Sequence, residues 1–331
     1  MEKVIAVVVS YNRHNELTKC IEALRNQSQK PDAILVVNNG SSDYTSVWLD
    51  MQADIINIYQ DNRGAAGGFC TGINWAYENG YNWIWCMDDD GYPKFDALEV
   101  LIKNEGHELA LINSAVVNKY DKKSLVFKTK KYHYINEVQE EVIENIAHPF
   151  NGTLIHRNII AKVGLPLINL FYKGAETEYF FRITKQYQIP AKTITKSIYY
   201  YKEITSLHTK EWDLKTCWSV YYFLRNRYAV LKTKHAYTFK ALPLYLIFIM
   251  AFIGEILLYQ KNNKLRKISL VFWPMRDALI NNYAATPATI KTKINNQYIN
   301  SFSKLILLPL RNYVCSLFVP SFKETSTPVS I

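Results

Sequence analysis

The sequence predicts an α/β fold: a mostly parallel sheet carried by residues 1–210, followed by a helical, basic region over residues 211–331. Three observations predict it. Apolar β-branched runs alternate with helical patterns four times in about 100 residues, which implies parallel strands joined by right-handed crossovers. Each of those runs ends in a polar loop, so four polar loops gather on one edge of the sheet, where such folds bind ligands. Apolar residues make up 49% of the 331-residue chain, enough for a substantial core and too many for a disordered segment.

The elements follow in order. Val4-Ile5-Ala6-Val7-Val8-Val9 is a continuous run, as expected of a strand buried on both faces. Leu17, Cys20, Ile21 and Leu24 lie at helical spacing. Ala33 to Val37 reads as a second strand, ending at Asn38-Asn39-Gly40. Tyr44 to Met51 reads as helix and Asp54 to Tyr59 as a third strand. Asp61 to Gly68 reads as a glycine-rich loop, with a helix after it carrying Phe69, Ile73, Ala76 and Tyr77. Trp83 to Met87 is a fourth strand and runs into Asp88-Asp89-Asp90. Beyond these, strands are expected over Leu109 to Val117, Phe150 to His156 and Ile194 to Tyr201, with a helix over Ala175 to Gln188. Residues 121–147 suggest a hairpin with a helix.

Charge divides the chain. Residues 1–199 hold 21 basic and 23 acidic side chains; residues 200–331 hold 18 basic and 6 acidic. The basic part suits an anionic partner, a membrane surface or a nucleic acid. Aromatic and basic residues interleave around Trp218 to Arg227 as stacking platforms can, but no RRM, KH or zinc signature accompanies them, which disfavours nucleic acid. Leu242 to Tyr259 is very apolar but interrupted by Pro243, Gly254 and Glu255. It borders on the length of a membrane span, and the interruptions favour a helix lying in the membrane interface over a buried bundle helix or a true span. Five scattered cysteines form no CxxC, and the N-terminus reads as lacking a secretory signal, so a cytoplasmic, reducing setting is expected.

Three adjacent carboxylates at a strand end repel one another. A divalent cation removes that cost, and Mg²⁺ or Mn²⁺ commonly takes one or two carboxylates plus substrate phosphates. The alternative is a solvated acidic turn, which Gly91 and Pro93 would also suit. Gly67-Gly68 either lets a ligand approach the backbone or allows tight helix–sheet packing. The loop matches neither GxGxxG nor a Walker sequence.

Ser10-Tyr11-Asn12-Arg13, Asn38 to Asp43, Asn62 to Phe69 and Met87 to Gly91 together resemble the ordered signatures of family 2 glycosyltransferases of the GT-A fold, a Rossmann-like nucleotide-sugar domain. Gly-Gly-Phe and Asp-Asp-Asp-Gly look most like the branch of bacterial galactofuranosyl- and rhamnosyltransferases. Gly174 to Arg182 resembles the acidic motif that opens the acceptor-site helix, and Tyr221 to Asn226 an aromatic-Arg-Asn motif of that branch. The resemblance spans roughly residues 3–230.

It implies an inverting, metal-dependent transferase. The donor is a nucleotide sugar, UDP-galactofuranose before dTDP-rhamnose. The acceptor is a glycan or lipid-linked glycan at the inner face of the cell membrane. Tyr11 and Asn39 would hold the base, with Ser10, Asn12, Arg13, Asn62, Arg63, Gly67, Gly68, Asp88 and Asp89 around the rest of the donor. Asp88 and Asp90 would hold Mn²⁺ or Mg²⁺. Glu176 matches the catalytic aspartate, although Ala175 replaces the usual preceding carboxylate. Glu178, Arg182, Trp85 and His208 fall on the acceptor side. Tyr201 stands near the position where the family often has a metal-binding histidine, and His208 is a possible replacement. A rival from the same motifs is a sugar-nucleotide binder without catalysis.

Overall fold

The structure is a computed structural model that describes residues 2–106, 108–128, 131–203, 211–214, 217–236 and 239–295. His208 lies outside the described residues.

The N-terminal part alternates strand and helix as the sequence predicts: β1 (Val4–Ser10), α1 (His14–Arg25), β2 (Ala33–Asn38), α2 (Thr45–Asp50), β3 (Ile55–Tyr59), α3 (Gly64–Glu78) and β4 (Trp83–Asp88). Then come β5 (Tyr92–Pro93), α4 (Ala97–Lys103), β6 (Leu111–Asn118), β7 (Val142–Glu144), β8 (Asn151–His156), α5 (Arg157–Val163), α6 (Ala175–Phe181) and β9 (Ala191–Tyr201). All nine strands form one sheet in the order β3-β2-β1-β4-β8-β6-β9-β5, with β7 paired to β9.

β1 pairs in parallel with β2 on one side and β4 on the other, in registers that set Ser10 beside Asn38 and Val9 beside Asp88. The chain steps outward from β1 through β2 to β3, then crosses back to β4. The carboxyl ends of β1 and β4 therefore flank a switch point of the topology, the place where a crevice opens in such sheets. Beyond β4 the sheet is mixed. β8 runs antiparallel to β4 and β6, while β9 runs parallel to β6 and antiparallel to β5 and β7. The mostly parallel expectation thus holds for the first four strands and not for the whole sheet.

Alternation along β1 sends Val4, Ala6 and Val8 to a core shared with α1, α2 and α4, and Ile5, Val7 and Val9 to one shared with α3, α5 and α6. Both faces are covered, which is why β1 is apolar throughout. The described residues of 121–147 hold turns, an antiparallel bridge between Ser124 and Tyr134, a short 3₁₀ helix (Ile135–Glu137) and β7, in keeping with the expected hairpin and helix.

The C-terminal helices are α7 (Trp218–Lys234), α8 (Ala241–Tyr259), α9 (Lys264–Leu279) and α10 (Pro287–Asn295), and they share an aromatic-rich core. α8 has two faces. Tyr245, Ile249, Phe252 and Ile256 recur at helical spacing and are buried in the bundle. Ile247, Met250 and Leu258 on the other face are 64%, 66% and 76% exposed. By length and composition α8 would suffice to cross a membrane, yet 28% of it is buried in the bundle. α7 also packs on the α/β part, where Thr233 donates to Glu178.

Candidate active site

The loops after β1, β2 and β4 meet at the carboxyl edge of the sheet. Ser10 Oγ donates to Asp89 Oδ2 at 2.8 Å, and Arg13 Nη1 bridges Asp89 Oδ1 at 2.9 Å and Asp90 Oδ2 at 2.8 Å. Lys202, just past β9, reaches Asp90 Oδ2 at 2.5 Å, and Lys119 Nζ donates to the Asp90 carbonyl at 2.8 Å. Tyr199 donates its hydroxyl to the Asp88 carbonyl at 2.9 Å, and the Tyr201 hydroxyl lies 3.5 Å from Asp88 Oδ2. Three cations and two phenols therefore surround the triplet, and β9 supplies both phenols.

The three carboxylates differ in environment. Asp89 is buried and fully engaged. Burial pushes its pKa up to about 6, against the pull of Arg13 and the Ser10 hydroxyl. Asp88 has its carboxyl well above the usual range, first through burial and then through the charges of Asp90 and Asp89. Arg13 is itself held more firmly protonated than usual. Burial works against that, and Asp89 and Asp90 outweigh it.

The donor set fits a divalent cation in part. Asp90 Oδ1 is buried with no hydrogen-bond partner, a hard oxygen left to be satisfied. Asp88 gains from any positive charge placed beside it. Asp89 has both oxygens occupied by Ser10 and Arg13. Among the described residues no group of three or more His, Cys, Asp or Glu side chains is arranged to hold an ion. Asp88 and Asp90 alone fit a cation that takes its remaining ligands from a diphosphate.

On the base side, Tyr11 is 46% exposed and its ring is free to stack. Asn39 is buried. Its side chain accepts from the Arg63 N–H at 3.1 Å and from Gln60, and donates to the Gly64 carbonyl at 2.9 Å. Asn39 therefore shapes the loop before α3 and is not open to a base. Asn62 is similarly committed, since its Oδ1 accepts from the Gly64 N–H at 2.8 Å, just ahead of α3. Asn12 Oδ1 holds the Ser42 N–H at 2.7 Å. Arg63 is exposed and stands at the mouth of α3.

Gly67 and Gly68 lie inside α3, not in a loop. A Cβ on Gly68 would sit 2.3 Å from Val9 Cγ1, and one on Gly67 would sit 2.3 Å from Arg63 Cβ. They serve close packing of α3 against β1 and its own first turn, which corrects their reading as donor contacts.

Toward α6, Glu176 lies in the first turn of the helix, and its charge reaches Asp88 as well as Tyr172 and Lys173 of its own preceding turn. The three described residues expected on the acceptor side are structural. Glu178 is buried, accepting from Thr233 Oγ1 at 3.0 Å and Arg182 Nη2 at 3.1 Å. Arg182 also donates to the carbonyls of Val163 and Leu165, tying α6 to the end of α5. Trp85 is fully buried under the sheet and cannot touch an acceptor. The half-turn between positions 176 and 178 explains the split: Glu178 is buried against the bundle, and Glu176 is only half-buried. After Phe181 the helix widens into a π turn over Arg182–Gln186.

Sequence reasoning missed Lys202, Lys119, Tyr199 and Tyr172. Only Lys202 left a signal, as the cation following a strand that ends at the same sheet edge.

Residues 5–161 match the family model Glycosyl transferase family 2. Among curated proteins, Galactofuranosyltransferase GlfT1 of Mycobacterium tuberculosis is 33% identical over 199 residues, 56% of this chain and 65% of that protein. The Mycolicibacterium smegmatis protein of the same name is 30% identical over 200 residues, 56% and 66% of the two chains. The matches thus span about 65% of these relatives' length. A crystal structure of S. aureus TarS 1–349 covers 89% of this chain and 92% of that one at 11% identity, with a TM-score of 0.48, too loose a likeness to inform the site. The chain is related to family 2 glycosyltransferases and has their GT-A-type sheet, followed by a helical bundle.

Proposed function

We propose that the chain is an inverting glycosyltransferase that moves galactofuranose from UDP-galactofuranose to a hydroxyl of a glycan or lipid-linked glycan. What supports this reading is the meeting of Tyr11, Arg13 and Asp88 to Asp90 at the switch point of the sheet, with Glu176 near enough for its charge to reach Asp88. The preference for galactofuranose rests on the relatives' names and on the motif resemblance.

In this reading Tyr11 stacks on the base and Arg63 faces the diphosphate. Asp88 and Asp90 would hold Mg²⁺ or Mn²⁺, which when bound supplies positive charge to the departing diphosphate. Arg13 and Lys202 add fixed positive charge at the same edge. Glu176 takes the proton of the acceptor hydroxyl as that oxygen bonds to the anomeric carbon. The bond from that carbon to the diphosphate breaks, and its electron pair leaves with UDP. One displacement inverts the anomeric centre.

The bundle would dock on the cytoplasmic face of the membrane. The outer face of α8 presents Leu246, Ile247, Met250, Leu257 and Leu258, with Lys240, Lys261 and Lys264 at its ends. An exposed apolar helix face with flanking cations suits an anionic bilayer surface.

The test is UDP release from UDP-galactofuranose with a synthetic alkyl glycoside as acceptor, compared with Glu176→Gln. Loss of turnover with UDP binding retained is expected; full turnover in Glu176→Gln refutes the base assignment. A thermal-shift series of UDP- and dTDP-sugars with Mn²⁺ tests the donor, since a bound ligand raises the midpoint by mass action. A larger shift with dTDP-rhamnose overturns the choice of sugar.

A further inference from the structure

The turn that delivers Glu176 is strained. Phe171, Lys173 and Gly174 all have positive φ, at 60°, 52° and 106°. For the two non-glycine residues this is a sparsely populated conformation that persists only where the surroundings impose it. Here the surroundings are two side chains of α7. Arg225 Nη2 donates to the carbonyls of Asn169 and Leu170, each at 3.1 Å. Asn226 Nδ2 donates to the carbonyls of Leu170, Tyr172 and Lys173 at 2.8, 2.8 and 2.7 Å. Arg225 Nε holds Asn226 Oδ1 at 2.9 Å, so the amide can turn only its NH₂ toward the turn.

Both residues are buried, at 1% and 0% exposure. The guanidinium lies against the rings of Tyr222 and Tyr283 at 4.8 and 4.9 Å. Such a group is costly to bury for fold stability alone, and apolar side chains would fill the space more cheaply. What these two supply is geometric: donors for four consecutive-region carbonyls that no helix or strand satisfies. The same turn reaches the other side of the crevice. The Phe171 carbonyl accepts from the Ala66 N–H of α3 at 3.1 Å. Ala66, Leu170, Ala175 and Ala229 form one small buried cluster where α3, the turn, α6 and α7 meet.

We propose that Arg225 and Asn226 are positioning residues for transfer: they hold the 169–174 turn so that Glu176 faces the acidic triplet and the start of α3 stays in place. The helical region is then part of the reaction apparatus as well as a docking element. This rests on Glu176 being the base, as proposed above.

The experiment compares Asn226→Ala, Arg225→Lys, Glu176→Gln and the double variant Asn226→Ala/Glu176→Gln in the full chain. Three quantities are read: UDP affinity by calorimetry, kcat for UDP release from UDP-galactofuranose, and amide exchange over residues 168–178. Asn226→Ala is expected to lower kcat about 100-fold, the scale of a displacement of about 1 Å, with UDP affinity within about threefold. Exchange should rise over 168–178 and at 64–68 and stay unchanged in β1 and β4. In the Glu176→Gln background the Asn226 change should add almost nothing, because both act through one carboxylate; a residue that only supports folding would multiply the two losses. Arg225→Lys keeps the buried charge and loses the two-carbonyl grip, and should give the same pattern more weakly. Unchanged exchange over 168–178, unchanged kcat, or multiplicative losses overturn the proposal. So does failure of both α7 variants to yield folded, UDP-binding protein, which makes the pair a folding element only. If Glu176→Gln alone keeps full turnover, it is the base assignment that falls, while the exchange result still decides whether α7 holds the turn.

Discussion

Gly68→Ala sets two known effects against each other. In an exposed helix the change gains about 1 kcal/mol, because glycine is the poorer helix former. At Gly68 the added methyl would stand 2.3 Å from Val9 Cγ1, with Val9 Cγ2 at 3.1 Å and Cβ at 3.3 Å. Carbon atoms rest about 3.5–4.0 Å apart, so α3 must retreat from β1 by about 1.2 Å or more. Val9 is buried and β-branched on the central strand, so its side chain has little room to yield. Overpacking of this kind costs about 3 kcal/mol at the upper end of its usual range, which leaves a net loss of about 2 kcal/mol. The thermal midpoint should fall by about 5 °C. The retreat also carries Arg63 away from the crevice, and UDP affinity should fall about tenfold if one charge-assisted contact is lost. Calorimetric melting and UDP titration measure both. The control is Val9→Ala, which removes both Cγ atoms. In that background Gly68→Ala should become stabilising by about 1 kcal/mol. A raised midpoint for Gly68→Ala in the native chain would refute the packing account.

Arg13→Ala removes the cation that Asp89 and Asp90 share; given its part-open guanidinium, the loss should be about 2 kcal/mol, and millimolar Mn²⁺ should recover part of it in urea titrations. His148 stacks on Phe127 at 3.6 Å, and burial lowers its pKa to about 4 from an ordinary 6.5. The neutral ring's contribution is present above pH 6.5 and is lost as pH falls toward 4. Relative to His148→Phe, the wild type should therefore lose up to about 3 kcal/mol between those values in urea midpoints. Ile247→Glu/Met250→Glu on the outer face of α8 should abolish cosedimentation with anionic liposomes while leaving the melting temperature within about 2 °C, since both side chains are mostly exposed.

Much of the polar sheet edge was legible because its signals are local. Val4 to Val9 had to be a central strand, and each polar loop had to follow a strand end. The triplet was readable for the same reason. The glycines were placed in a loop because α3 begins at Gly64, ahead of the apolar periodicity that Phe69 opens. Glu178 and Arg182 were assigned to the wrong side because helix phase separates Glu176 from Glu178 without saying which one faces solvent. That depends on Thr233, 55 residues later. Lys119 was not legible, and Lys202 only as a cation after a strand end, for a related reason. Their positions come from β6 and β9 lying side by side, and nothing in the local pattern says that β9 inserts between β6 and β5. Trp85 was assigned to the acceptor side, but alternation along β4 already points it to the same face as Trp83 and Met87, inside the core.

The counter-ions of the triplet come from far apart in the chain: Arg13 lies 76 positions from Asp89, and Lys119 and Lys202 lie 29 and 112 from Asp90. This gives the site a schedule. A chain emerging from the ribosome presents three neighbouring carboxylates early, with one guanidinium to meet them. The second ammonium arrives only after β9 has been made and threaded into the sheet, the kind of long-range pairing that closes late. A nascent or truncated chain that stops at β8 carries the triplet with Arg13 and Lys119 but lacks Lys202, the second cation on the Asp90 carboxylate.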